Sequence, residues 1–155
     1  MVLIMPYTTF CVDKSLIDNT PRNNSNWEIY DESCSRLIID VPFSNIKEIW
    51  KLAKVDVPIF DKNNLCHSIK YNIKNEYVIS NHSDYCNLTI IIYKEKDDNL
   101  QDKFYIEGKL VTEELWDKKV NSYCALAMWN NTKKGPEHYG LITGNGIREV
   151  VCLFL

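Results

Sequence analysis

The feature that most constrains this fold is a series of short β-type segments separated by short polar turns. In segment 65–73, apolar and aromatic side chains alternate with polar ones, which is the pattern of a half-buried strand. Lys74-Asn75 and Asn145-Gly146 lie between such segments, and Asn-Gly between apolar runs is a strong hairpin signal. Consecutive strands joined by tight turns predict an antiparallel sheet. Segment 123–129 is apolar throughout, which fits either a central strand or a buried helix.

Two segments carry helix signals. Ile46, Ile49, Trp50 and Ala53 have the spacing of one helical face, so we expect a helix from Asn45 onward. A shorter helix is expected over 113–120, with acidic residues in its first turn and lysines in its last. Because helices and strands do not alternate regularly, the sequence predicts an α+β fold: residues 1–155 form one globular domain, mostly antiparallel sheet, with one or two helices packed on one face.

Charge and hydropathy narrow the classes of partner. The formal net charge is −3, and the 18 basic residues are scattered without a basic stripe, so we expect no nucleic-acid partner. No apolar stretch approaches the roughly 20 residues of a membrane helix, so we expect no membrane partner. Segment 1–6 is apolar but lacks the basic start of a signal peptide, and we interpret it as a buried first strand. The excess of Lys over Arg, with abundant Asn and Ile, indicates an AT-rich genome.

The six cysteines do not decide between the cytoplasm and a secreted location. They are widely spread and form no C-x-x-C pair, which favours reduced thiols in the cytoplasm. The alternative is a secreted, disulfide-bonded recognition domain whose leader has been removed, because an even cysteine count and four N-x-Ser/Thr sequons are compatible with export.

The sharpest candidate site combines Cys66, His67, His82 and Cys86. A hairpin centred on Lys74-Asn75 places His67 across from His82, at the roughly 5 Å spacing of opposed residues. Thiolates and imidazoles are the ligands that tetrahedral zinc prefers, so the four residues form a candidate zinc site. The competing interpretations are an ordinary strand with buried thiols, or a Cys66–Cys86 disulfide.

Other candidate sites carry weaker signals. Cys124 followed by His138 could supply a thiol nucleophile and its base, although core packing explains a buried Cys equally well. Trp27 and Trp129 border polar segments and are candidates for binding a partner or ligand. The glycines of segment 140–146 lack the Lys-Ser/Thr of a phosphate-binding loop and fit a hairpin turn better.

The sequence favours a non-catalytic binding or interaction module over an enzyme. This interpretation depends on the absence of a recognisable acid–base or nucleophile set, together with the small charge and the many aromatic residues. It predicts a protein partner, and an accessory or immune-modulating protein of a virus, phage or low-GC bacterium fits it. The alternatives are a metal-dependent or thiol hydrolase and the secreted recognition domain.

Overall fold

The computed structural model describes residues 6–20, 27–111, 113–129 and 135–155. Within these ranges the chain forms nine strands, two α-helices and one turn of 3₁₀ helix at Glu113–Trp116. The helices are α1 (Ser15–Asp18) and α2 (Phe43–Ala53). The strands are β1 (Tyr7–Asp13), β2 (Glu28–Asp31), β3 (Cys34–Ile38), β4 (Leu65–His82), β5 (Leu88–Lys96), β6 (Gln101–Ile106), β7 (Lys109–Leu110), β8 (Ser122–Trp129) and β9 (His138–Phe154).

All nine strands belong to one antiparallel sheet. Its main path runs β1-β8-β5-β9-β4-β3-β2, and β6 pairs with β9 and carries β7 on its other edge. Strand β4 pairs with β9 along almost its whole length, whereas β5 pairs with the second half of β9 and β6 with the first half. Segment 123–129 is therefore a strand, which settles the choice that its apolar sequence leaves open.

The two hairpins predicted from Lys74-Asn75 and Asn145-Gly146 are wrong. Both pairs lie inside long strands, opposite each other, with Asn75 paired to Gly144. Asn75 has a φ of 71° and Gly144 a φ of 114°, so the positive φ typical of turn residues is present. Positive φ here bends the two paired strands at the same level and does not reverse the chain. Gly146 also has positive φ, as the turn prediction expected, but the structural role of these positions is a corner in the sheet.

The bend lets the sheet bury side chains on both faces. One apolar cluster includes Ile90 and Leu153 of the sheet together with Ile46 and Ile49 of α2. The second cluster includes Ile73, Phe104 and Ile142 from one half of the bent sheet and residues such as Tyr93 and Val150 from the other half. The second cluster therefore lies between the two halves of the same sheet. This interior holds the candidate site.

The predicted α+β class is wrong, because strands dominate the described residues and the helices are short. Helix α2 has 11 residues and α1 has four. Helix α2 confirms the prediction from apolar spacing, because Ile46, Ile49 and Ala53 are all buried. The helix expected over 113–120 is instead the single 3₁₀ turn. The fold is a mostly antiparallel β structure whose second face is covered by the sheet itself and not by a layer of helices.

Among the described residues, no helix has the length and apolar character needed to cross a bilayer. Of the strand expected over segment 1–6, residues 1–5 lie outside the described ranges.

Candidate metal centre

Three side chains converge where β4 ends and β9 begins. His82 is the last residue of β4 and His138 the first of β9, and the two are paired across the ladder after an irregularity that follows Ile79. Their ring centroids are 4.2 Å apart. Asp84 follows His82 by two residues, which brings its carboxylate back toward both imidazoles. His138 therefore meets two residues that precede it by 54 or more positions, His82 and Asp84, at one end of the sheet interior.

The donor atoms of these residues are close enough to share one ion. His82 Nε2 lies 3.5 Å from Asp84 Oδ1, and His138 Nε2 lies 3.6 Å from Asp84 Oδ2. One ligand atom from each of the three side chains lies within 4.8 Å of the others. Two imidazole nitrogens and a carboxylate oxygen suit zinc, iron and other first-row transition metals.

Hydrogen bonds fix the orientation of both imidazoles. His82 Nδ1 donates to the backbone oxygen of Ser80 at 2.7 Å, and His138 Nδ1 donates to that of Pro136 at 2.9 Å. Because a carbonyl oxygen can only accept, the proton of each neutral ring is on Nδ1. The Nε2 lone pairs then point toward Asp84. A backbone carbonyl that holds the remote nitrogen is the usual support of a metal-binding histidine.

Asp84 is held from a second direction. Thr89 on β5 donates its hydroxyl hydrogen bond to Asp84 Oδ2 at 2.8 Å. The Thr89 side chain is buried, and its oxygen also lies 3.2 Å from the Cys86 sulfur. The hydroxyl therefore restricts the rotation of the carboxylate and stabilises its charge.

The protonation states suit metal binding. Burial opposes ionisation of Asp84, but its hydrogen bond with His82, the nearby His138 and the Thr89 hydroxyl together hold the pKa of Asp84 below its ordinary value. Burial lowers the pKa of His138, and the Pro136 carbonyl and Asp84 only partly oppose this effect. When His82 is protonated, its Nε2–H donates to Asp84, and this hydrogen bond raises the pKa of His82 in spite of partial burial. At neutral pH the centre thus offers an ionised carboxylate and a neutral His138, which are the forms that bind metals.

The three residues line a cavity of about 140 Å³. Its other walls are mostly apolar side chains from both halves of the sheet, and Arg148 contributes the remaining charge. A larger groove of about 780 Å³ shares His82 and Asp84 with this cavity. A small ligand could therefore reach the centre from the groove and extend into the sheet interior.

Arg148 is itself part of a buried polar cluster. Its Nε donates to Asp102 Oδ2 at 2.9 Å, and Trp116 Nε1 donates to the same oxygen at 2.7 Å. The guanidinium lies over the Tyr71 ring at 4.8 Å from the centroid. Paired in this way, a guanidinium that is 2% exposed keeps its charge next to the cavity.

The structure brings only part of the predicted zinc set to this centre. His82 is one of the three donors, and Cys86 contacts Thr89, which in turn holds Asp84. Cys66 pairs with Leu153 and joins the cluster beneath α2. His67 pairs with Cys152 and packs on Phe154, with ring centroids 6.1 Å apart. The expected hairpin does not form, so His67 is not the cross-strand partner of His82.

The remaining candidates lie elsewhere. Cys124 lies opposite Cys11 on β1, whereas His138 lies opposite His82, so the two do not form a nucleophile–base pair in the sheet. Trp27 and Trp129 are partly buried and pack against the cluster beneath α2. All six cysteines carry thiols in the structure, so the disulfide between Cys66 and Cys86 is not formed.

Sequence reasoning missed Asp84 and treated His82 and His138 as members of two separate sites. The available signal was the H-x-D spacing of His82 and Asp84 at a strand end. It gains meaning only once His138 is known to lie across the ladder.

Comparison with known proteins gives a distant likeness in structure and none in sequence. No family model matches the chain, and no curated protein matches it. KdgF from a Halomonas species is 11% identical with a TM-score of 0.48, covering 83% of this chain and 84% of that one. A cupin superfamily protein from Desulfitobacterium hafniense is 10% identical with a TM-score of 0.41, covering 88% and 94%. A low-affinity xylan-binding module from Roseburia intestinalis is 12% identical with a TM-score of 0.24, covering 96% and 94%. With identities and TM-scores this low, the comparisons assign neither a family nor an activity.

The interpretation as a non-catalytic binding or interaction module is wrong. It depended on the absence of a recognisable acid–base or nucleophile set, whereas His82, Asp84 and His138 bring two imidazoles and a carboxylate together beside a cavity.

Proposed function

We propose that this protein is a metal-dependent enzyme that binds one divalent first-row transition-metal ion at His82, Asp84 and His138. The observation that carries the proposal is the convergence of the three donor atoms, with both Nδ1 atoms anchored on backbone carbonyls. Two imidazoles that are both fixed with Nδ1 protonated present both Nε2 atoms as metal ligands, an arrangement that a chance cluster of polar side chains would not require.

The number of ligands favours catalysis over a structural role. Structural zinc sites usually have four protein ligands, whereas catalytic sites have three and leave a position for water or substrate. The three residues here leave positions open, and they line a cavity where a small molecule could take one. When bound, a divalent ion in such a site supplies Lewis-acid polarisation of a substrate oxygen or of water.

The surrounding residues have distinct roles in this proposal. Thr89 holds Asp84 in place, and the apolar walls of the cavity shield His138 from bulk water. Arg148 places a fixed positive charge on the same cavity wall. This distribution of charge and space fits a small substrate that carries metal-coordinating oxygen atoms at one end.

Metal titration of the purified protein tests the proposal. After treatment with a chelator, the protein is titrated with Zn²⁺, Mn²⁺, Ni²⁺ and anaerobic Fe²⁺ by calorimetry. We expect one equivalent of at least one of these metals to bind. Asp84→Asn and His138→Ala should each weaken that binding by at least roughly 10–100-fold, since losing even a supporting partner has that effect.

Glu137→Gln is the matched control, because Glu137 is an exposed acid next to His138 that is not among the three donors. It should bind metal like the wild type. Failure of all four metals to bind, or equal affinity in wild type and the Asp84 and His138 variants, would overturn the proposal.

A further inference from the structure

Outside the metal centre, two cysteines face each other across the edge of the sheet. Cys11 of β1 and Cys124 of β8 are directly opposed in the antiparallel register. Directly opposed residues point to the same face, with Cα atoms about 4.5–5.5 Å apart. That separation lies within the roughly 4.4–6.8 Å range of a disulfide. The two thiols already form a side-chain hydrogen bond. A disulfide between them would therefore require only small shifts of the backbone.

The pair is asymmetric in exposure and charge. Cys11 is exposed, whereas Cys124 is 8% exposed. The Lys119 ammonium donates a hydrogen bond to the Cys11 sulfur at 3.0 Å. A cation at this distance stabilises the negative charge that the sulfur carries when it attacks an electrophile. Cys11 thus has the access and the charged neighbour that a reactive thiol needs, and Cys124 lies where a second thiol would be required.

The other four cysteines lack this combination. Burial raises the pKa of Cys66 to about 11 and that of Cys152 to about 12, so both stay protonated near neutral pH. Cys34 lies opposite Tyr71, and Cys86 hydrogen-bonds to Thr89. Of the six, only Cys11 and Cys124 oppose another cysteine in the strand pairing of the described residues.

We propose that Cys11 is a peroxide-oxidisable thiol and that Cys124 resolves it to a reversible disulfide. The Cys11 thiolate attacks one oxygen of hydrogen peroxide, the O–O bond breaks, and the hydroxide that leaves is protonated to water. The sulfenic acid on Cys11 is then attacked by the Cys124 sulfur, which loses its proton, and a second water leaves. Two thiols are oxidised to one disulfide, and one peroxide is reduced to two waters. The product joins edge strand β1 covalently to β8, and an external dithiol reverses it.

Peptide mapping after exposure to hydrogen peroxide tests this inference. The wild type should lose two hydrogens and yield one disulfide-linked peptide pair, containing Cys11 and Cys124. In Cys124→Ser the reaction should stop at a sulfenic acid on Cys11, which dimedone traps. In Cys11→Ser, Cys124 should remain a thiol at the same peroxide concentration. Dithiothreitol should restore the wild-type mass.

Lys119→Gln isolates the role of the ammonium and should slow dimedone labelling of Cys124→Ser by several-fold. Lys118→Gln is the matched control, because Lys118 is the adjacent lysine and is ion-paired with Asp98 at 3.5 Å. Lys118→Gln in the Cys124→Ser background should be labelled by dimedone as fast as Cys124→Ser alone. The inference is overturned if another cysteine oxidises first, if Cys124→Ser yields no sulfenic acid on Cys11, or if both lysine variants react alike. Circular dichroism establishes that each variant is folded before its rate is compared.

Discussion

At the scale of single residues, Thr89 is the side chain that most specifically positions a proposed metal ligand, Asp84. Its hydroxyl donates to Asp84 Oδ2 from a neighbouring strand and does not itself belong to the donor set. Thr89→Val keeps the shape but removes the hydrogen bond. We expect it to weaken metal binding by roughly 10–100-fold, as measured by calorimetry, because the carboxylate loses its fixed orientation.

Thr89→Ser provides the control, because it retains a hydroxyl and should bind metal close to the wild type. If Thr89→Val and Thr89→Ser bind equally well, the hydroxyl does not position Asp84.

Also at this scale, the buried pair of Arg148 and Asp102 should contribute strongly to stability. Both side chains are almost fully buried, and the carboxylate oxygen Oδ2 also accepts a hydrogen bond from Trp116. Asp102→Asn leaves the guanidinium charge in the sheet interior without its counter-ion. We expect the free energy of unfolding in urea to fall by about 3–5 kcal/mol.

The exposed pair of Arg36 and Glu28 is the comparison, with both side chains substantially accessible. Glu28→Gln should lower the free energy of unfolding by about 1 kcal/mol or less. Equal losses in the two variants would mean that Arg148 is reached by water.

At the scale of elements, the corner shared by β4 and β9 depends on Gly144. A Cβ added there would lie 2.6 Å from the backbone oxygen of Asn99, and its φ of 114° is unfavourable for other residues. Gly144→Ala should therefore destabilise the protein by roughly 2–5 kcal/mol, combining backbone strain with overpacking.

Gly108→Ala separates these two contributions. Gly108 has a φ of 78° but no atom within 4 Å of an added Cβ. Its substitution should lower the free energy of unfolding by about 1–2 kcal/mol, through backbone strain alone. Chemical denaturation of the two variants would contradict this account if Gly108→Ala proved the more damaging.

The elements also explain which parts of the fold could be predicted. Apolar spacing located α2, and alternation located the first half of β4, because both patterns report burial along a single segment. The pairs Lys74-Asn75 and Asn145-Gly146 were recognised as turn-type residues. Whether such a residue reverses a chain or bends it depends on the strand opposite, and that partner is set by contacts far away in the sequence.

At the scale of the whole molecule, the site arises from the pairing of distant segments. His82 and His138 were each recognised as candidate site residues. They lie side by side only because β4 pairs with β9, and these two strands are far apart in the sequence. Asp84 carried no signal of its own, since a single acid near a strand end is usually solvated. The cysteine-based zinc set failed because it assumed a local hairpin in place of this long-range pairing.

Metal binding should stabilise the whole fold, because the proposed ligands tie the end of β4 to the start of β9. A metal present at 100 times its dissociation constant adds about 2.7 kcal/mol. For a chain of this size that corresponds to a rise in Tm of roughly 5–10 °C. Scanning calorimetry with and without metal measures the shift. A chelator should reverse the rise, and His138→Ala should show none. An identical rise in His138→Ala would locate the ion at another site.

X-ray absorption spectroscopy of the zinc-loaded protein tests the central claim most directly, because it identifies the atoms around the ion. We predict a first shell of nitrogen and oxygen at about 2.0–2.2 Å with the scattering pattern of two imidazoles, and no sulfur at about 2.3 Å. This is the signature of His82, Asp84 and His138. A first shell that contains sulfur would contradict the account, because it would place the ion on the cysteines instead.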